Sequence, residues 1–227
     1  MELENLRMKD QIPDGPISFA SSTPCIFYIL SKDQIAVDMP AKDMFREIER
    51  CFATRLGEEM RTKIFGDSEP PLKPEKLSLW VKEAMDRMDA LVDDEARSSI
   101  MRECEANCAN INSRVVGAAK RRWAKHKTNE EFIEAEMAKP QKGTRLERDG
   151  DTLILTYTPR KWNRPIRCYC SLMRSLPKDA LSSPTYCQCG VGFVKTWWEA
   201  VLSKPVDVEL LESAISGAEE CKFRITY

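Results

Sequence analysis

Between residues 41 and 140 apolar side chains recur every three or four positions, the period of a helix with one buried face. The stretch 41–65 carries Met44, Ile48, Cys51, Phe52 and Leu56 at that spacing and predicts a helix. The prolines of DSEPPLKP end it, because proline has no amide N–H for a helix interior. In the next helix Leu77, Trp80, Val81, Ala84, Met85, Met88, Leu91 and Val92 follow the same steps. A third helical element spans 93–126, with Ile100, Cys104, Cys108, Ile111 and Val115 on one stripe. Thr128 and Glu131 are spaced as a capping box for NEEFIEAEMAK, and Pro140 lies just past its end.

From residue 144 the period changes to two. TRLERDGDTLILTYTP predicts a hairpin turning at Asp149-Gly150, with Leu153, Leu155 and Tyr157 alternating with threonines and Ile154. RCYCSLM reads as a further short strand. GFVKTWWEAVLSK is apolar around most of a helical circumference and predicts a buried helix. Val206, Val208 and Leu210, then Cys221, Phe223 and Ile225, alternate in two strands joined by a loop containing Gly217. The sum is an α+β fold, with N-terminal helices packed on a twisted antiparallel sheet that carries one buried helix. The expected organisation is a single domain over 41–227, helical over 41–140 and sheet-forming over 141–227. Residues 1–40 lack a period. They read as an N-terminal appendage holding a weak hairpin, CIFYIL and QIAV around SKD.

Composition narrows the function classes. The 227 residues, 42% of them hydrophobic, suffice for one sizeable core. A formal net charge of −1 gives no general pull toward nucleic acid or an anionic membrane, so neither is expected as a partner. MELENLRMKD lacks the apolar segment of a secretory signal, and no apolar run approaches a membrane span. The expected compartment is the cytoplasm. In that reducing setting the nine cysteines are expected to stay out of structural disulfides.

Those cysteines are the strongest chemical signal. CYCSLMRSLPKDALSSPTYCQCGVG, residues 168–192, holds two C-x-C pairs. In an extended chain Cys168 and Cys170 point the same way, as do Cys187 and Cys189; in a helix Cys104 and Cys108 share a face. Tetrahedral zinc takes four ligands, and two such pairs supply four thiolates. The candidate set is Cys104, Cys108, Cys187 and Cys189, with Cys168 and Cys170 as the alternative pair. Buried packing and redox chemistry are the competing readings, since cysteine is among the most buried residue types and a C-x-C disulfide is labile. Cys221 reads as core beside Phe223 and Ile225.

Other residues add less. The single histidine, His126, lies in the basic stretch KRRWAKHK, which reads as a solvated face or a phosphate contact. Its isolation excludes an HExxH metal helix. Glu199 lies in the apolar VKTWWEAVL, either as a buried acid or base or as an ion-pair partner of Lys195 one turn earlier. Phe193, Trp197 and Trp198 read as core, or as the wall of a ligand cavity.

The C-terminal pattern also carries a resemblance. It runs from a cysteine–glycine helix start, through an internal Glu and KPV, to an acidic-apolar strand ending ES, a glycine turn and C-K-F-R-I. It resembles the superfamily of the bacterial 4-vinyl reductase domain. It also looks like the L-2-amino-thiazoline-4-carboxylic acid hydrolase family and its uncharacterised neighbours. The likeness covers about the last 85 residues and extends through the Cys-x3-Cys of IMRECEANCA. It implies a fold similar to that of vesicle-tethering subunits and gas-sensing haem domains, with small-molecule or metal binding through cysteines. Cys187, Cys189, Glu199 and Cys221 fall on its pattern. The haem-binding branch uses a histidine ligand, whereas the one histidine here lies in a basic helix. The expected function is a cytoplasmic metal- or small-molecule-binding protein with a cysteine-thiolate zinc site. One alternative is a hydrolase of a small heterocyclic or amide substrate, with Glu199 as proton shuttle. The other is a partner-binding module without catalysis.

Overall fold

The apolar stripe over 41–65 folds as two helices, because Gly57, at φ 86°, turns the chain between α1 (Ala41–Leu56) and α2 (Glu58–Phe65). The computed structural model describes residues 41–104, 113–141, 143–161 and 164–227. The expected hairpin within residues 1–40 lies outside them. Helix α3 (Pro74–Leu91) begins at Pro74, where the missing N–H has no partner to lose. Helix α4 (Asp94–Glu103) is capped by Asp93, whose side chain accepts from the Ala96 amide at 2.9 Å.

The helix expected over 93–126 is interrupted. Cys104 turns out of α4 with φ −54° and ψ 135°, and α5 (Ser113–Trp123) begins separately. Cys104 thus ends its helix rather than sharing a helical face with Cys108, and Cys108 lies outside the described residues. The expectation of nine free thiols is corrected as well. Cys104 forms a disulfide with Cys51 of α1, their Cα atoms 5.7 Å apart, which is within the reach of such a bond.

Helix α6 (Asn129–Ala138) starts where the capping pattern places it. The Glu131 amide donates to Thr128 Oγ1 at 3.1 Å, and Glu131 Oε2 accepts from the Lys127 amide at 2.8 Å. Thr128→Ala removes that cap and should lower stability by about 1 kcal/mol in urea denaturation.

Strands β1 (Thr144–Asp149) and β2 (Thr152–Tyr157) form the expected hairpin, turning at Gly150 with φ 58°. Arg160–Lys161 and Arg164–Pro165 pair as β3 and β4 in a small separate ladder. The last two strands, β5 (Asp207–Glu212) and β6 (Cys221–Thr226), complete a four-stranded antiparallel sheet of order β1-β2-β6-β5. Register sets Phe223 opposite both Leu155 and Leu210, and Ile225 opposite Leu153 and Val208. Those residues share one face. Asp207, Glu209, Lys222 and Arg224 occupy the other, where Arg224 pairs with Glu209 at 2.7 Å and Lys222 pairs with Glu212.

Helix α7 (Gln188–Leu202) is the expected buried helix. It packs on the apolar face of the sheet, with Gly190 meeting Phe223 so closely that a Cβ there would lie 3.3 Å from Phe223 Cζ. The fold is α+β, with seven helices packed against the four-stranded sheet among the described residues.

Candidate functional site

The cysteine-rich segment is not extended. Cys168 lies in irregular chain and Cys170 in a bend that leads into turns, so RCYCSLM forms no strand. Ser183 accepts from the Thr185 amide at 3.0 Å and starts a 3-10 turn, Pro184–Cys187, that runs directly into α7. Cys187 ends that turn and Cys189 lies on the helix. The strand geometry that would align each C-x-C pair is absent from both.

Tertiary packing nevertheless gathers the thiols. Cys168, Cys170, Cys187, Cys189 and Cys221 line one cavity of about 30 Å³ with Tyr157, Tyr186, Arg167 and the disulfide-bonded Cys104. Helices α1 and α4 supply its apolar wall through Met44, Ile48 and Met101. The Cys170 sulfur lies 2.9 Å from the Tyr186 hydroxyl and 3.4 Å from the Met44 sulfur. Cys187 lies 3.0 Å from Ser213 Oγ, and the Tyr157 hydroxyl hydrogen-bonds the Cys221 thiol.

Burial pushes the Cys168 and Cys187 thiols well above the usual thiol range, and neighbouring cysteines add to the shift. Burial also raises Cys221, and raises the hydroxyls of Tyr157 and Tyr186 far above the ordinary phenol range. Burial thus favours the uncharged form of these groups. Cys104 is committed to a disulfide. Among the described residues no group of three or more His, Cys, Asp or Glu side chains is arranged to hold a metal ion. The zinc expectation is corrected on these grounds: the gathered thiols form hydrogen bonds rather than a ligand shell.

Glu199 lies elsewhere on α7. Its Oε1 is 3.2 Å from Lys195 Nζ and accepts from the Val206 amide at 3.3 Å, which ties the helix to the entry of β5. His126 sits edge-on to Phe132, with ring centroids 5.8 Å apart. Around it Lys120, Arg121, Lys125 and Lys127 are exposed.

A second cavity, of about 70 Å³, lies between α7, the two preceding helices and strands β1 and β2. Phe193, Trp197, Trp198, Val115, Leu146 and Leu155 form its apolar wall, and Glu136, Gln141 and Thr144 add polar groups. Trp197 and Trp198 meet edge to face, their centroids 4.9 Å apart. Arg122 holds Glu136 through two contacts, Nε to Oε1 at 2.8 Å and Nη2 to Oε2 at 3.3 Å, and its guanidinium lies 6.0 Å from the Trp197 ring centroid. The aromatic residues were legible as a possible cavity wall. Glu136 was not, because no local pattern links it to Arg122 fourteen positions earlier. Tyr186 and Arg167 were equally silent.

Among solved structures the chain is similar to an Fe(II) unliganded H-NOX protein from K. algicida, at 14% identity and a TM-score of 0.41, covering 82% of this chain and 95% of that one. An H-NOX protein from S. oneidensis in the Fe(II)NO ligation state gives 10% identity and a TM-score of 0.35, covering 80% and 96%. The phenol-responsive sensory domain of the transcription activator PoxR, solved with phenol, gives 14% and 0.35, covering 80% and 89%. No curated protein matches the chain. Among the described residues no helix is long and apolar enough to cross a membrane. The resemblance to the 4-vinyl reductase domain and the thiazoline-carboxylate hydrolases is corrected by the family match, which is to a different sequence family. That match runs over residues 44–227, and the chain belongs to it: the Family of unknown function (DUF6144).

Proposed function

We propose that the chain is a small-molecule-binding domain whose ligand enters the tryptophan-lined cavity. The supporting observation is the combination of a void and a polar edge on otherwise apolar walls. Three aromatic side chains, Phe193, Trp197 and Trp198, meet aliphatic Val115, Leu146 and Leu155, while the Glu136 carboxylate is held in place by Arg122. Apolar walls supply the driving force for burying a ligand, and a few fixed polar groups orient it.

Size restricts what enters. A closed apolar cavity of about 150 Å³ holds one benzene ring. The space here, about 70 Å³, takes the edge of one ring while the rest lies in the mouth. The ligand is therefore small, uncharged over most of its surface, and flat enough to lie between tryptophan faces and the sheet.

Fluorobenzene is a suitable probe, followed by 19F NMR. Its resonance should broaden and shift saturably with the wild-type protein. Val115→Phe, which fills the cavity and leaves Arg122 and Glu136 themselves unaltered, should weaken that binding roughly tenfold or more, the loss of about one buried ring contact's worth of free energy. Absence of saturable binding to the wild type, or equal binding to Val115→Phe, would refute the assignment.

A further inference from the structure

Arg167 brings a different chemistry to the thiol-lined cavity. Its Nη2 donates to the carbonyls of Ala180 at 3.2 Å and Ile215 at 3.4 Å, which fixes the guanidinium between two loops. Its Nε is buried and has no hydrogen-bond partner among the described residues. No described carboxylate forms an ion pair with it either. A buried N–H left unpaired costs free energy, and more so on a charged group. Cations in such settings are ordinarily matched by an anion.

The surroundings say which anion fits. Met44, Ile48, Met101 and Ile215 give the cavity an apolar wall. Arg167 is the one Lys, Arg, Asp or Glu among the described lining residues, the others being apolar side chains, thiols, phenols and a glycine. A single positive charge balances a monoanion. A sulfate or phosphate dianion would bring a second charge and a tightly held water shell into a wall with few donors to replace it. The space of about 30 Å³ corresponds to roughly two water-sized volumes. That admits a carboxylate and a very short aliphatic stub.

We propose that this cavity binds the carboxylate of a small aliphatic acid, with Arg167 Nε donating to a carboxylate oxygen and the aliphatic part lying against Met44 and Met101. The site is separate from the tryptophan-lined cavity and does not depend on it.

The probes are sodium formate, acetate, propionate and butyrate, titrated into the full chain at constant ionic strength against sodium chloride and sodium sulfate. The readouts are the melting temperature and the 13C-methyl resonances of the methionines, with Met44 and Met101 assigned through Met44→Leu and Met101→Leu. Acetate or propionate should raise the melting temperature saturably and shift both methyl signals, while chloride and sulfate do neither. Butyrate should bind more weakly than propionate, because the cavity has no room for its chain. Arg167→Gln should weaken carboxylate binding roughly tenfold or more, the worth of a charge-assisted hydrogen bond. If that variant does not fold, the wild-type methyl shifts decide the question alone. Unmoved Met44 and Met101 signals, equal stabilisation by sulfate, or undiminished binding by a folded Arg167→Gln would overturn the proposal and leave Arg167 Nε to an ordered water.

Discussion

Phe223→Ala should lower the unfolding free energy by about 3–5 kcal/mol. The ring is 1% exposed and sits at the centre of the sheet, in register with Leu155 on one side and Leu210 on the other. It stacks on Tyr157, with centroids 5.7 Å apart and planes at 18°, and it fills the space above Gly190 of α7. Truncation removes contacts to two neighbouring strands and a helix at once. Gly190 has no side chain with which to fill the void. The loss therefore includes the cavity as well as the transfer of the ring, which places it near the top of the range. Urea denaturation measures it, and a near-neutral result would mean that β6 does not carry the core.

The second large effect belongs to the disulfide. Cys51→Ser should cost about 2–4 kcal/mol, because the Cys51–Cys104 bond closes a loop spanning a sequence separation of 53 and so restrains the unfolded chain. Reducing the wild type should reproduce the loss, and the variant should be indifferent to reductant. A wild type whose denaturation midpoint ignores reductant would show that the bond contributes nothing. The two residues sit on α1 and at the end of α4, the helices that wall the thiol cavity. Reduction should accordingly also speed alkylation of Cys168 and Cys170, read by mass spectrometry.

What was legible in the sequence follows the range of each signal. Alternation in β2, β5 and β6 is local, and it gave both the strands and the side that each residue faces. The capping pair at Thr128 and the apolar circumference of α7 are local too. The C-x-C reading failed because period-two geometry was assumed where Ser183 and Pro184 start a helical turn, a signal present in SSPTYC but overshadowed by the cysteines. The continuous helix over 93–126 failed at Cys104 because an apolar stripe records which side is buried and not where the backbone turns away. The disulfide and both cavities depend on distances between segments dozens of residues apart. An apolar pattern marks the side chains that leave water; it does not mark the places where they fail to fill space, and the Trp197 cavity is such a place.

The position of β6 has a consequence for how the chain reaches its fold. Strand β6, the last of the described strands, is an inner strand of the sheet, hydrogen-bonded to β2 on one side and β5 on the other. During synthesis the β1–β2 hairpin and β5 emerge first but have no direct pairing with each other. The sheet closes only after residue 226 has left the ribosome, so until then α7 has no complete surface to cover, and its apolar circumference is exposed to other chains. Pairing between β2 and β6 joins residues about seventy positions apart, a long loop to close before any contact repays it. Refolding should therefore be slow for a domain so rich in helix, with most helical signal recovered before Trp197 and Trp198 reach their native emission. The vulnerable interval is the one in which the helices have formed and the central strand is still missing.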